Sequence, residues 1–444
     1  RIAGHPALYY LLLGWWIDVA GDGDTAVRAL SGILALAAVP VIWAVARRYE
    51  PPTAPVAATL ALASPYLLRY GTEARMYALV VLLAALGWWA VEAAIDRPTG
   101  LRLAGVALVA ASLVHTHYWT FWLIGTTVAL LGWTAWRDAA RRRGATRTAA
   151  AVLAGAATLV VWLGVLLDQS SDTGTPWASR ARPAEVLIET LQALGGSVRF
   201  EGTLLGAMLL LLVVAGGTAL ARATNELRLA PRASRAAVPV VVIGGTLALG
   251  AAAAVVTASA FEPRYAAVVV PFVLVAAARG IAMLPPAAAA LTLAAVVGLG
   301  LATGVDEARR DRTQGAEIAA AIDAVAGPDD VVVICPDQLG PAATRSLDHA
   351  GPRLAYPDGD GTLVDWSGYL DRVAATDPVA FAEAAHTLAG DADVWVVGAF
   401  TYRGFEGRCE VVVDTLGSLR DSTIAVTART VFEPMTLFRF VVAR

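Results

Sequence analysis

The sequence predicts a polytopic α-helical membrane protein that ends in a small α/β domain. Of its 444 residues, 57% are hydrophobic and 16% charged, against about 45–50% and about 25% in ordinary soluble domains. Ten apolar runs have the length of a membrane span or come close to it. The charge is also divided: from Asp306 onward 12 Arg face 22 acids, a formal −10, whereas the preceding part carries 22 Arg and 15 acids, a formal +7. All 34 basic positions are arginine, which excludes a Walker A lysine, a Schiff-base lysine and a lysine base. A net charge of −3 argues against nucleic acid as a partner. Two cysteines cannot supply a disulfide scaffold or a cysteine-rich metal centre.

In chain order, Ile2–Ala20 opens with His5-Pro6 and carries Tyr9, Tyr10, Trp15 and Trp16. That content suits a helix lying at the interface, where aromatic rings collect; a further full span is the other reading. Spans are expected at 27–46, 53–68, 76–95, 101–116, 118–136, 148–167, 203–221, 236–257, 265–283 and 285–303. Alternate connections hold 14 arginines on one face and 8 on the other, so the 14-Arg face is expected to be cytoplasmic. The residues before 27, the loop 168–202 and the C-terminal domain then share the outer face. An outer start calls for an earlier translocating segment, so a span is expected upstream of Arg1.

The division falls at 1–304 for the membrane domain and 305–444 for the tail. In the tail, Ala316–Val325, Pro341–His349 and Pro378–Leu388 read as helices. Asp330–Cys335, Asp393–Val397, Glu410–Val413 and Leu437–Val442 read as short strands, and such alternation predicts an α/β layer. No G-x-G-x-x-G follows a strand, so no dinucleotide site is expected. Cys335 and Cys409 are expected as two buried free thiols, although an outer compartment would permit a bond.

Charges near lipid are costly and therefore informative. Three polar clusters fall at expected outer turns. In Tyr70-Gly-Thr-Glu-Ala-Arg-Met-Tyr77, Glu73 and Arg75 stand where a helix begins and anions are favoured. Arg75 could grip a phosphate with both arms of its fork; a local Glu73–Arg75 pair is the plainer reading. His115-Thr-His117-Tyr118-Trp119 could bond a sugar or phosphate, or simply pack at the interface, and lacks a third ligand for zinc. Phe261-Glu-Pro-Arg-Tyr265 puts Arg264 and Tyr265 at another helix start, either as ligand contacts or as a snorkelling arginine beside an interfacial tyrosine. His5 is a fourth candidate, with a structural role as its alternative.

These residues carry a resemblance. His5-Pro-Ala-Leu-Tyr-Tyr10 followed by Val27-Arg-Ala-Leu-Ser-Gly-Ile, Ser64-Pro-Tyr followed by Glu73-Ala-Arg-Met-Tyr77, and Pro263-Arg-Tyr265 with Pro271 resemble, in order, stretches of GT-C-type glycosyltransferases. The family is the protein O-mannosyltransferase and aminoarabinose-transferase superfamily, and the resemblance covers residues 1 to about 305. It implies a GT-C-like bundle in the cell membrane that moves a sugar from a polyprenyl-phosphate donor to a glycan, lipid or protein acceptor at the outer face. The chemistry of the residues agrees with that reaction: Arg75 and Arg264, each at an expected outer helix start, are expected to contact the donor phosphate, with His5, which stands where relatives carry a cationic or polar group, as a third contact, and Glu73, Tyr77, His115, His117, Tyr118 and Tyr265 are expected to contact substrate. The acidic base of the family lies in an outer loop upstream of the His-Pro stretch. It is therefore expected before Arg1, with Glu73 as fallback, because Asp18, Asp22 and Asp24 follow the interfacial helix. No metal or cofactor is expected, since a phosphate leaving group needs none. The rival readings are a transporter or lipid flippase, which would carry mid-span charges and repeated halves, and a non-catalytic scaffold that binds partners through its tail.

Overall fold

The structure, a computed structural model, describes residues 6–172, 182–223, 226–231, 237–257, 261–402 and 404–442. The chain divides into two compact units, one built from His5–Gly164 and Arg180–Arg309, the other chiefly from Arg310–Arg444.

The first unit is helical: α1 (Leu8–Ala20), α2 (Asp24–Tyr49), α3 (Ala54–Leu62), α4 (Pro65–Gly71), α5 (Tyr77–Asp96), α6 (Gly100–Val114), α7 (Thr120–Arg137), α8 (Arg142–Ala156), the start of α9 (Leu163–Asp172, of which Val165 onward is grouped with the other unit), α10 (Pro183–Gly195), α11 (Phe200–Gly217), α12 (Val238–Thr257), α13 (Val270–Ala282) and α14 (Pro286–Arg309). Among the described residues, six helical segments are long and apolar enough to cross a membrane, including Arg142–Gln169, and the shorter α1, α6 and α13 are also apolar. Several expected spans are modified. The 53–68 run is broken into α3 and α4, because Pro65 lacks an N–H and holds Ser64 extended (φ −69, ψ 118). The 265–283 run opens as a 3-10 turn, Pro263–Val268, before α13. The 203–221 run stops at Gly217 and enters an antiparallel hairpin, β1 (Thr218–Ala223) with β2 (Glu226–Pro231). Within the expected loop 168–202 stands α10, with Pro183 in its first turn and a left-handed Gly196 (φ 77) beyond its end.

α13 is buried from Val270 through Ile281, as expected of a helix apolar on every side that runs through the middle of a bundle. It lies closely against α11: a Cβ on Gly280 would meet the Leu212 carbonyl oxygen at 2.2 Å, and one on Gly216 would meet that of Ala276 at 2.1 Å. Its one cation, Arg279, donates to Glu50 at 3.1 Å and to the Gly216 carbonyl at 2.5 Å. At the same end of the bundle Arg48 and Arg141 both pair with Asp96, at 2.5 and 3.1 Å. Trp88, Tyr49 and Glu92 form a hydrogen-bonded chain there, with links of 2.7 and 2.8 Å. Arg48, Arg141, Arg279, Glu50, Glu92 and Asp96 are therefore each held by a partner at this end.

The second unit contains α15 (Gly315–Asp323), β3 (Val331–Cys335), α16 (Gly340–Thr344), β4 (Arg353–Ala355), α17 (Tyr369–Ala375), α18 (Pro378–Ala389), β5 (Val394–Gly398), α19 (Arg408–Leu419), β6 (Asp421–Val426) and β7 (Thr436–Val441). The sheet order is β4-β3-β5-β7-β6. The pairs β3–β4 and β3–β5 are parallel, whereas β5–β7 and β6–β7 are antiparallel. β3 and β5 are buried at every position, which their unbroken valine-rich runs anticipate.

Three expectations for this unit are corrected. Glu410–Val413 is part of the helix α19, whose buried Cys409, Val412 and Leu416 recur at helical spacing. The two cysteines are bonded to each other, Cα to Cα 5.6 Å apart, because the first turn of α19 comes to the end of β3. The expected helix at 341–349 is shorter, ending at Thr344.

Asp337, just past β3, is 1% exposed and accepts a hydrogen bond from the Tyr369 hydroxyl. Burial pushes its carboxyl up to about 7. The native state therefore keeps a proton that the unfolded chain releases near pH 4. This contribution to stability is complete in acid and is lost as pH rises towards 7. We expect the stability of Asp337→Asn relative to the wild type to increase between pH 5 and pH 8. Parallel melting curves across that range would disprove the assignment.

Candidate active site

At the end of the bundle opposite Arg279, three separated stretches meet. The chain from α4 to α5 brings Tyr66, Tyr70 and Tyr77; the turn between α6 and α7 brings His117 and Trp119; the stretch before α13 brings Phe261 and Tyr265. All seven are buried. Their rings form a continuous series: Tyr66–Tyr70 4.4 Å, Tyr70–Tyr77 5.0 Å, Tyr77–His117 5.7 Å, His117–Tyr265 5.0 Å, and Trp119 at 5.8 Å from Tyr265 and 4.8 Å from Phe261. Edge and tilted ring contacts of this kind add to apolar burial and give a rigid wall. Tyr66 donates to the Arg264 carbonyl at 2.5 Å, which ties α4 to the turn 263–268. Tyr9 and Ser31 are hydrogen-bonded at 2.8 Å, and Ser31 donates to the Arg75 carbonyl at 3.3 Å. The first two helices thus fix the turn that carries Arg75.

Glu73 and Arg75 stand in the turn before α5 rather than in its first coil, with Met76 as the cap. Glu73 is paired with Arg69 at 3.4 Å, and Arg69 also meets Glu307 at 3.1 Å. The local Glu73–Arg75 pair is therefore replaced by Arg69, one helical turn earlier, and Glu73 is committed to it. Arg75 is exposed, and among the described residues its guanidinium makes no ion pair or hydrogen bond. Arg264 lies over the Tyr265 ring at 5.7 Å and meets Glu262 at 3.5 Å. Its Nε is buried without a partner among the described residues, as is the Tyr77 hydroxyl. A buried donor left unmade costs about 1–3 kcal/mol. Both arginines act electrostatically on Tyr70, Tyr77 and Tyr265, so they converge on one group of hydroxyls although 189 positions separate them in the chain.

The other expected contacts divide. His117 and Tyr265 belong to the aromatic wall. His115 instead bonds Thr158 at 3.2 Å, and Tyr118 accepts from Trp162 at 3.2 Å; both turn towards 157–162. His5 lies outside the described residues. The residues that sequence reasoning passed over are Tyr66, Arg69, Glu307 and Glu189. Glu189 stands on α10, which packs on the turn 263–268. Its signal was the spacing of Val186, Thr190 and Leu194 between Pro183 and Gly196, an amphipathic helix inside an apparent loop.

The chain is thus a helical membrane bundle with a buried aromatic wall at one end, followed in sequence by an α/β unit, and its fold is similar to that of GT-C membrane enzymes. Among solved structures the chain is similar to ArnT from Cupriavidus metallidurans in the apo state, with a TM-score of 0.61 and 12% identity, over 99% of this chain and 88% of that one. It is likewise similar to the same protein bound to undecaprenyl phosphate, with a TM-score of 0.59 and 12% identity over the same shares. At that identity the likeness is one of fold. No protein-family model and no curated protein matches the sequence.

Proposed function

We infer that the protein is a membrane glycosyltransferase that takes a sugar from a polyprenyl-phosphate donor and passes it to a glycan, lipid or protein acceptor at the outer face. The observation that carries this reading is the convergence of Arg75 and Arg264 on the buried Tyr70–Tyr77–Tyr265 group, with the Tyr77 hydroxyl and the Arg264 Nε left without partners. The fold it shares with an ArnT bound to undecaprenyl phosphate supports a lipid phosphate as the anion. When the anomeric carbon is attacked, the bond to phosphate breaks and negative charge gathers on the leaving oxygen. Fixed cations with little water around them stabilise that charge best. Arg264 offers a partly buried fork and Arg75 an uncommitted one, while the aromatic wall can pack against a sugar ring. A transporter would place its ionisable groups in mid-span, whereas the described charges gather at the two ends of the bundle. Incubating the full-length protein in membranes with labelled polyprenyl-phosphate sugars should yield a labelled acceptor. Labelled donor that crosses the membrane unchanged would favour transport instead.

The proposed topology has ten spans and the tail outside. Two features support it: the arginine bias, and the Cys335–Cys409 bond, since disulfides persist in oxidising compartments. Protease added to intact cells with a permeabilised outer wall should cut the tail. Protection of the tail until the membrane is lysed would refute this topology.

A further inference from the structure

A second space in the helical unit lies apart from the aromatic wall. It is an elongated cavity of about 860 Å³, counted out to where it opens, among α5, α6, α7, α8, α12 and α13. None of the wall residues lines it. The lining is apolar for most of its length, with Ala84 on α5 and Leu113 on α6 towards the wall, and Ile95, Thr134 and Arg141 towards the other end. From Ala84 to Ile95 the helix α5 rises about 16 Å at 1.5 Å per residue. That is about half of the ~30 Å hydrocarbon core, the depth of one leaflet.

The end away from the wall is cationic. The two connections that border it, 96–102 and 137–147, hold seven arginines against two aspartates, a formal excess of five positive charges. Asp96 is shared by Arg48 and Arg141, and Glu92, which also lines the cavity, accepts from Tyr49. Arg141 gives Asp96 one of its five side-chain donors. Arg102 and Arg142 each give one to a backbone carbonyl, at 2.7 and 3.0 Å. Arg97, Arg142, Arg143 and Arg147 are exposed.

We propose that this cavity takes one acyl chain of an anionic phospholipid from the leaflet at that end, with the lipid phosphate among Arg102, Arg141 and Arg142. The proposal needs a membrane around the helices but not the glycosyl-transfer reading. Apolar walls hold water poorly, and a chain restores the dispersion contacts that an empty space lacks. The phosphate accepts charge-assisted hydrogen bonds, which arginine supplies two at a time. A zwitterionic lipid offers the same chain and phosphate, but its own ammonium competes with the arginines. A polyprenyl donor fits less well, since its phosphate belongs by the wall and the cavity stops short of the wall. Trp88 on α5 and Phe272 on α13 stack at 4.6 Å and form part of the lining. The same two helices adjoin the wall, because α5 begins at Tyr77 and α13 follows Tyr265. A bound chain therefore braces the helices on which the wall is mounted.

The test uses the full-length protein purified in detergent and two lipids with identical oleoyl chains, phosphatidylglycerol and phosphatidylcholine, each with a diazirine near the end of one chain. Native mass spectrometry should find one phosphatidylglycerol per protein, held about tenfold more tightly than phosphatidylcholine, as a few arginines near a phosphate would give. Raising the salt from about 0.1 to about 1 M should shrink that preference, since charges are then screened within about 3 Å. On irradiation the label should fall on the buried Ala110 and Leu113, which line the cavity, rather than on the exposed Leu108 of the same helix. Arg141→Gln should lower the preference for phosphatidylglycerol about fivefold and leave phosphatidylcholine binding unchanged. Val109→Phe, which fills the cavity from α6, should remove the label from Ala110 and Leu113. The wild-type measurements stand alone if either variant fails to fold. Equal retention of the two lipids, or label confined to Leu108, would overturn the proposal. Undecaprenyl phosphate that displaces phosphatidylglycerol mole for mole would give the cavity to a polyprenyl chain and overturn it as well. None of these outcomes bears on sugar transfer, which is measured separately.

Discussion

Lysine in place of Arg264 should reduce sugar transfer about 10²–10³-fold, the loss typical when one donor to a developing oxyanion is removed. The charge would remain, but the planar fork would not, and lysine cannot bind two phosphate oxygens in the same geometry. The loss should appear mainly in kcat, because the interaction strengthens as the phosphate takes up charge. Arg264→Lys leaves the backbone carbonyl that anchors Tyr66 in place, so the wall itself should survive the substitution. Arg75→Lys should show the same signature with a smaller loss, since Arg75 is exposed and its charge is more screened. The double substitution should fall short of the product of the two effects, because the groups act on one phosphate. Two snorkelling surface arginines would instead each give less than about a threefold change. Near-normal transfer by both single variants, at matched expression, would exclude the clamp.

Serine at both Cys335 and Cys409 should destabilise the C-terminal unit by about 2–5 kcal/mol. The bond closes a loop with a sequence separation of 74 residues, for which chain entropy alone suggests about 4.5 kcal/mol. It also joins the end of β3 to the start of α19, two elements that share one apolar core through Val331, Val333, Cys409 and Val412. Pulse proteolysis of the full-length protein across a urea series would measure the change, with cleavage sites read by mass spectrometry. Cuts should move to lower urea within Arg310–Arg444, while the helical unit keeps its own midpoint. An unchanged midpoint for the C-terminal unit would mean that the bond constrains little.

The substance of the membrane unit was legible because lipid admits few solutions. Apolar runs of span length and arginine-rich connections mark helices wherever they occur, and the helical segments indeed lie where those runs do. The places where reading by composition went astray are the places where backbone chemistry intervenes. Pro65 divides one apolar run into α3 and α4, and Pro263 and Pro271 turn the head of another into a 3-10 coil. Hydropathy averages over such residues. The error at Glu410–Val413 has a similar origin: three consecutive valines suggest a strand, but the burial of Cys409, Val412 and Leu416 follows the helical period.

By itself the sequence determined the class of molecule, the polar stretches worth attention and the absence of lysine chemistry, because each of these is a property of local composition. Partnership was decided by the tertiary structure. Arg75 and Arg264 could be named from their motifs, but only the fold shows Glu73 taken by Arg69 and the two arginines acting on the same three tyrosines. His115 and His117 are two residues apart, yet one bonds Thr158 and the other joins the aromatic wall. The bond between Cys335 and Cys409, and the unpartnered oxygen of Glu189, were likewise invisible in one dimension. The physical reason is the same in each case. An ion pair, a disulfide or an orphaned buried atom depends on distances of a few ångströms between residues tens to hundreds of positions apart, and no local pattern encodes such a distance.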